Sequence, residues 1–209
     1  ISSIFSFSLT CFEIDKDTLP YLEILMDDKT KIIYQDFLTV NLNEYYKKSD
    51  SIHVIANIPY YITTPIIEHI IKSNLNILDM TLMVQKDVAD RLTSKPGSRE
   101  YGYISVYLNY YFNLEKLFDV DKTCFSPVPK VDSAIIKLSK KESKYDVNEE
   151  IFFKLIKDAF KMKRKNLRNN LKEYDLNKIS KTLIKYNLDL TARAEELSIN
   201  IFIDIANNL

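Results

Sequence analysis

Apolar residues recur along this chain in two distinct rhythms, and the change from one to the other marks its organisation. Short apolar or alternating runs at Phe7–Ile14, Lys31–Tyr34, Ile52–Ala56, Met80–Val84, Leu114–Val120 and Ser133–Leu138 predict six strands. Helical spacing over Thr18–Met26 and Pro65–Ser73 falls between the first four, and over Lys86–Leu92 directly after them. Such alternation predicts a mostly parallel sheet with helices on its faces. No convincing helix parts the last two strands, which suits an antiparallel edge pair.

The polar stretch "SKKESKYDVNEE", 139–150, reads as a boundary. Beyond it, 148–209 has helical periodicity and no strand signal. Phe152, Leu155, Ile156, Ala159, Phe160, Leu167 and Leu171 fall largely on one face, with basic residues on another. The expectation is an α/β domain over 1–143 and a small all-helical domain over 144–209.

Charge sharpens this division. The chain carries 29 basic and 29 acidic residues, a net charge of zero. Residues 1–60 hold nine acids against five bases, whereas 154–172 hold eight bases against Asp158 alone. A basic block of this kind points to a polyanion partner on one face. At 46% hydrophobic and 28% charged, the composition is that of a soluble globular protein. No apolar run reaches the roughly 18 residues of a membrane span. The opening "ISSIFSFSLTCF" lacks a positive flank and a small-residue cleavage site, and reads as a strand with its approach. Cys11 and Cys124 stand far apart with no companion ligands, so neither a disulfide framework nor a zinc site is expected.

Three polar signatures close successive strands, where ligands bind in doubly wound sheets. "CFEID" ends the first with Glu13 and Asp15, "IIYQDFL" ends the next with Asp36, and "VIANIPYY" ends the third with Asn57. An acid after the second strand of a nucleotide-binding sheet accepts from ribose hydroxyls, and Asp36 suits an exocyclic adenine amine. Either acid alone would be an ordinary turn or cap residue.

Asn57–Ile58–Pro59–Tyr60 is the informative tetrad. Pro59 lacks an N–H and stiffens the turn. The Asn57 side-chain oxygen and a main-chain carbonyl then become two acceptors beside the flat face of Tyr60. This set suits a planar group carrying an NH2. Taking both hydrogens of an adenine N6 favours its pyramidal form, with the lone pair aimed at an incoming methyl. Positioning supplies most of such catalysis. A catalytic histidine is not required, and His53 and His69 read as structural.

These residues resemble the ribosomal RNA adenine dimethyltransferases, in their bacterial small-subunit branch. The matches run in order: "FEIDKD", "DFL", "NIPYYITTPII", "QKDVADRL", "PGSREYG", "CFSPVPKVDSAIIKL", "AFKMKRKNLRNNL" and "RAEELSI". The resemblance implies a Rossmann-like methyltransferase sheet with a C-terminal helical RNA-binding domain. It implies S-adenosylmethionine as cofactor, small-subunit (16S-type) ribosomal RNA or the pre-30S particle as partner, and two methyls per adenine. It further implies a cytoplasmic monomer that needs neither metal nor membrane.

Family roles carry over by position. Glu13 with Ile14, Asp36 with Phe37, and Asn57 would line the cofactor site. Asn57, Ile58, Pro59 and Tyr60 would hold the target base, with Phe125 as its second aromatic wall. Lys161, Lys163, Arg164, Lys165 and Arg168 would contact RNA from a basic helix. Departures from the pattern are also visible. Tyr61 stands where the family often has asparagine, and Gly97 and Gly102 are the only glycines. Nothing in residues 1–10 matches the family's glycine-rich cofactor loop, so weakened cofactor binding is expected. The alternatives are a catalytically impaired RNA-binding or ribosome-assembly module and an N6-adenine DNA methylase. "PVPKVDS" and "RAEELS" argue against the latter.

Overall fold

The computed structural model describes residues 8–143 and 145–209. Phe7, expected to open the first strand, and Lys144, at the expected domain boundary, lie outside them. By contact density the chain divides into two units, Ile1–Asp50 with Ile62–Asn76, and Ser51–Tyr61 with Ile77–Leu209.

In the first unit, β1 (Leu9–Glu13) pairs in parallel with β2 (Thr30–Tyr34), Cys11 opposite Ile32. The helix expected over Thr18–Met26 is shorter: α1 spans only Leu19–Leu22, between 3₁₀ turns at Lys16–Thr18 and Glu23–Leu25. Pro20 fits at the first turn, where its missing N–H has no partner to lose. α2 (Thr63–Lys72) follows the tyrosine pair. Phe12, Phe37, Tyr45 and His69 meet edge to face with ring centroids 5.2–5.6 Å apart. His69 Nε2 also lies 2.9 Å from the Val40 carbonyl, a structural use of that ring.

The second unit is built on a four-stranded sheet in the order β3 (Ile52–Asn57), β4 (Ile77–Gln85), β6 (Ser133–Lys140), β5 (Phe112–Val120). β3 and β4 are parallel, and β6–β5 is antiparallel, as the missing helix between those strands suggested. β6 also inserts antiparallel beside β4, so among the described residues the sheet is mixed rather than mostly parallel. Met80, Leu82, Val84, Ala134, Ile136 and Leu138 are fully buried along the two central strands. His53 Nδ1 contacts Asp79 Oδ2 at 2.9 Å, far along β3 from Asn57.

α3 (Lys86–Leu92) lies where expected, and α4 (Tyr103–Tyr111) is an addition. "YISVYLNYY" hides its helix because β-branched and aromatic residues favour strands and no polar face breaks the run. Burial resolves the ambiguity: Ser105, Val106 and Leu108 have no exposure. Ser105 Oγ accepts from the Gly102 N–H at 3.2 Å and donates to the Arg91 carbonyl at 2.7 Å, tying the start of α4 to the end of α3. Gly97 adopts φ +85° in the preceding turn and donates its N–H to the Glu195 carbonyl at 2.7 Å. The "PGSREYG" and "RAEELS" segments thus meet.

Four helices complete this unit: α5 (Glu149–Ala159), α6 (Leu167–Asn170), α7 (Leu176–Ile184) and α8 (Ile199–Asn208). Tyr110 and Tyr111 of α4 pack on Phe152 and Phe153 of α5. Burial, with the Glu149 carboxylate, pushes the Tyr110 phenol up to about 12, so it stays a neutral donor to that carboxylate. Among the described residues no helix is long and apolar enough to cross a membrane.

The expected basic helix is not continuous. α5 stops at Ala159, residues 160–166 turn, and only Arg168 of the five expected RNA contacts is helical. Lys157, Lys161 and Lys165 would stack at i, i+4 on a continuous helix, where like charges oppose one another. Asn166 then caps α6, accepting from the Asn169 N–H at 3.2 Å. The apolar half of the pattern survives this break: Phe152, Leu155, Ile156, Ala159, Leu167 and Leu171 have no exposure.

Candidate active site

Asn57 ends β3 beside Met83 of the parallel β4, so it stands at a carboxyl strand end. Ile58 extends the ladder by one bond, its N–H donating to the Met83 carbonyl at 3.2 Å, and its side chain is 2% exposed. Pro59 then ends the pairing because it has no donor, and Tyr60–Ile62 form a 3₁₀ turn. The chain thereby anchors Ile58 in the core while leaving Asn57 and Pro59 exposed and Tyr60 half-buried. Among the described residues nothing hydrogen-bonds the Asn57 amide, which is open to a ligand.

Phe125 reaches the same place from the loop between β5 and β6. Asp121 opens that loop: its Oδ1 accepts from the N–H and hydroxyl of Thr123 at 2.8 and 2.6 Å. The Thr123 hydroxyl, then the amide, holds the Asp121 carboxyl below the usual carboxylate range. The Phe125 N–H donates to the Lys122 carbonyl at 3.2 Å. Asn57, Ile58, Pro59, Tyr60 and Phe125 line one pocket of about 320 Å³, with Ser126, Pro127 and Pro129. That volume lies at the small end of the range for small-molecule sites. Two rings, an open amide and a proline-stiffened turn are gathered there, which suits a flat polar heterocycle.

Sequence reasoning missed the loop residues Ser126, Pro127 and Pro129 and the hydroxyl of Ser133. Ser133 Oγ, fully buried, lies 2.9 Å from Tyr60 Oη. Only the sheet register, with Ser133 opposite Gln85, brings these two residues together; no local spacing signals it. Beside the loop, Lys86 pairs with Asp119 at 2.7 Å, and Lys116 with Asp90 and Asp119 at 2.8 and 3.3 Å. Asp119 raises the Lys86 ammonium, and Lys86 in turn lowers the Asp119 carboxyl. These groups are exposed to water and contribute little to stability.

Of the expected cofactor residues, Glu13, Ile14, Asp36 and Phe37 lie in the first unit and Asn57 in the second. Glu13 Oε1 accepts from the N–H groups of Ile14 and Asp15, both at 2.8 Å, which fixes the carboxylate just past β1. Its Oε2 is left to accept from a ribose hydroxyl, so this residue fits a nucleoside. Asp36 does double service: Oδ1 caps the 3₁₀ turn Phe37–Thr39 through the Leu38 N–H at 3.0 Å, leaving Oδ2 as an acceptor. Phe37 is engaged with Phe12 and His69.

Lys161, Lys163, Arg164 and Lys165 are all exposed on the 160–166 turn, and Arg168 is exposed on α6. Among the described residues none of the five is in an ion pair. Asp158, the one acid in the block, instead accepts from the Tyr174 phenol at 2.7 Å. Asn170 closes the turn from within, its Nδ2 donating to the carbonyls of Ala159 at 2.6 Å and Met162 at 3.2 Å. Among the described residues no cluster of three or more His, Cys, Asp or Glu is arranged to hold a metal ion.

Comparison with known proteins agrees with this reading of the fold. The chain is 38% identical to ribosomal RNA small subunit methyltransferase A of Enterococcus faecalis, over 96% of this chain and 73% of that protein. It is 35% identical to the protein of the same name from Oceanobacillus iheyensis, over 95% of this chain and 72% of that one. Among solved structures, a dimethyladenosine transferase from Plasmodium falciparum aligns with a TM-score of 0.75 at 22% identity, covering 95% of this chain and 80% of that one. The 23S rRNA methyltransferase ErmE aligns equally well, TM-score 0.75 at 22% identity, over 97% and 82%. At such identities the likeness shows the fold, a Rossmann-like methyltransferase architecture. The family model described as ribosomal RNA adenine dimethylase matches residues 4–209, and the chain belongs to that family.

Proposed function

We propose that this protein transfers methyl groups from S-adenosylmethionine to N6 of adenines in small-subunit ribosomal RNA, giving dimethyladenosine. The observation that carries this reading is that Asn57–Ile58–Pro59–Tyr60 and Phe125 line one and the same pocket. The names of its relatives support the choice of small-subunit RNA.

A stacked base cannot reach a strand-end pocket, so the target adenine is extruded or comes from a loop. Stacking on an aromatic side chain is worth about 1–3 kcal/mol per base. Two rings, Tyr60 and Phe125, offset an extrusion cost of a few kcal/mol. The Asn57 side-chain oxygen and the Ile58 carbonyl accept the two N6 hydrogens, holding the amine pyramidal. S-adenosylmethionine would supply an electrophilic methyl on a sulfonium: the N6 lone pair takes the methyl, the carbon–sulfur bond breaks to leave a neutral thioether, and one N6 proton is released to solvent. Glu13 Oε2 would hold the cofactor ribose and Asp36 Oδ2 its adenine amine, with Ile14 and Phe37 beside them. Proximity and orientation, rather than a strong base, carry the rate.

The exposed cations at 161, 163, 164, 165 and 168 dock the RNA through its phosphates, and 144–209 acts as the RNA-binding domain. The pre-30S particle is the substrate, and the protein works as a cytoplasmic monomer without a metal. Methyl transfer to undermethylated small subunits tests the reading. Asn57→Ala should lower kcat by about 10²–10³, the size of effect that follows removal of one preorganised hydrogen-bonding group, an oxyanion-hole donor, from a reacting centre. A wild-type rate in that variant would defeat the assignment. Salt-sensitive RNA binding with no heat on adding S-adenosylmethionine would favour a non-catalytic assembly module.

A further inference from the structure

The two aromatic walls of the pocket come from segments that are distant in the chain, yet both are held by two adjacent residues, the first of β6 and the one before it. Ser133 opens β6, which lies between β4 and β5 and is paired on both sides, opposite Gln85 and Val120. It is therefore a rigid point. Its hydroxyl is fully buried and meets Tyr60 Oη at 2.9 Å, pinning the far end of the ring. A buried hydroxyl needs such a partner.

Asp132, immediately before it, serves the other wall. Its Oδ1 accepts from the Lys122 N–H at 3.1 Å, and the Lys122 carbonyl accepts from the Phe125 N–H at 3.2 Å. The Asp132 carbonyl also takes the Lys86 N–H at 3.0 Å, which locks this residue to the start of α3. A base stacks on both rings only when the gap between them matches its thickness.

We propose that Asp132 and Ser133 are positioning residues that set this gap, Ser133 through the Tyr60 phenol and Asp132 through the turn that carries Phe125. The inference rests on the methyltransferase reading of the pocket. Neither side chain touches the target. Each acts by keeping a ring in place, and small misplacements of reacting groups are costly in rate.

A double-mutant cycle in the full-length protein tests it, with methyl transfer to undermethylated small subunits as the readout. Ser133→Ala and Tyr60→Phe should each lower kcat by about tenfold, the effect of one lost hydrogen bond, while the dissociation constant for S-adenosylmethionine stays put. The double variant should be no slower than Tyr60→Phe alone, because both changes remove the same bond. Tyr60→Phe leaves the buried strand untouched, so it reports even where Ser133→Ala folds poorly. Asp132→Ala should slow the reaction similarly, and Asp132→Asn, which keeps the acceptor oxygen, should restore most of the rate. Wild-type kcat in Ser133→Ala, or additive losses in the double variant, would overturn this inference alone. An inactive wild-type protein would overturn it together with the reading of the pocket.

Discussion

Phe125→Ala isolates the energetics of base capture. Phe125 is half-buried on a loop, and among the described residues its ring contacts no other aromatic ring. Truncation therefore opens no core cavity, and the folded state should change by no more than about 0.5 kcal/mol. What is lost is one stacking face, about 1–3 kcal/mol. With 1.4 kcal/mol per factor of ten, that is a fall of about 5- to 150-fold in kcat/KM for the RNA substrate.

Tyr60→Ala should be worse, since it removes a ring and also leaves the buried Ser133 hydroxyl unpaired, a further penalty of about 1–3 kcal/mol. The assay is transfer of labelled methyl to undermethylated small subunits, with S-adenosylmethionine affinity followed by calorimetry. Both variants should lose RNA-dependent rate and keep cofactor affinity. An unchanged kcat/KM for Phe125→Ala, or equal losses in rate and cofactor binding, would refute the sandwich.

Reversing Arg164 and Lys165 to glutamate should weaken RNA binding and flatten its salt dependence. Each lost phosphate contact removes about 0.7–0.9 from the slope of log K against log salt, so two contacts remove about 1.5. An unchanged slope would take the 160–166 turn out of the footprint. Asn170→Ala should lower the melting temperature by about 2–4 °C for each kcal/mol lost, because the carbonyls of Ala159 and Met162 lose their buried donor. It should also weaken RNA binding without altering charge. A melting curve that does not move would show that the amide does not hold the turn.

Much of this protein was legible in its residues. The positions of β1–β6 follow from alternation and short apolar runs, since side-chain direction is set locally by the strand period of two. "LMVQKDVADRL" marks a strand passing into α3, and the proline in Asn57–Ile58–Pro59–Tyr60 marks the end of a ladder. Chemistry written into contiguous residues is readable for the same reason: an amide, a missing N–H and a ring lie within four positions.

Tertiary structure decided the rest. The aromatic run at Tyr103–Tyr111 is a helix because burial on several sides overrides strand propensity. The basic segment breaks at Ala159, where crowded like charges and the Asn170 side chain outweigh a helical apolar pattern. The meeting of Tyr60, Phe125 and Ser133 depends on strand order and antiparallel register, which are set by the whole sheet finding one packing. Local dihedral preferences extend over a few residues, and contacts across more than sixty positions carry no mark in the spacing of either segment.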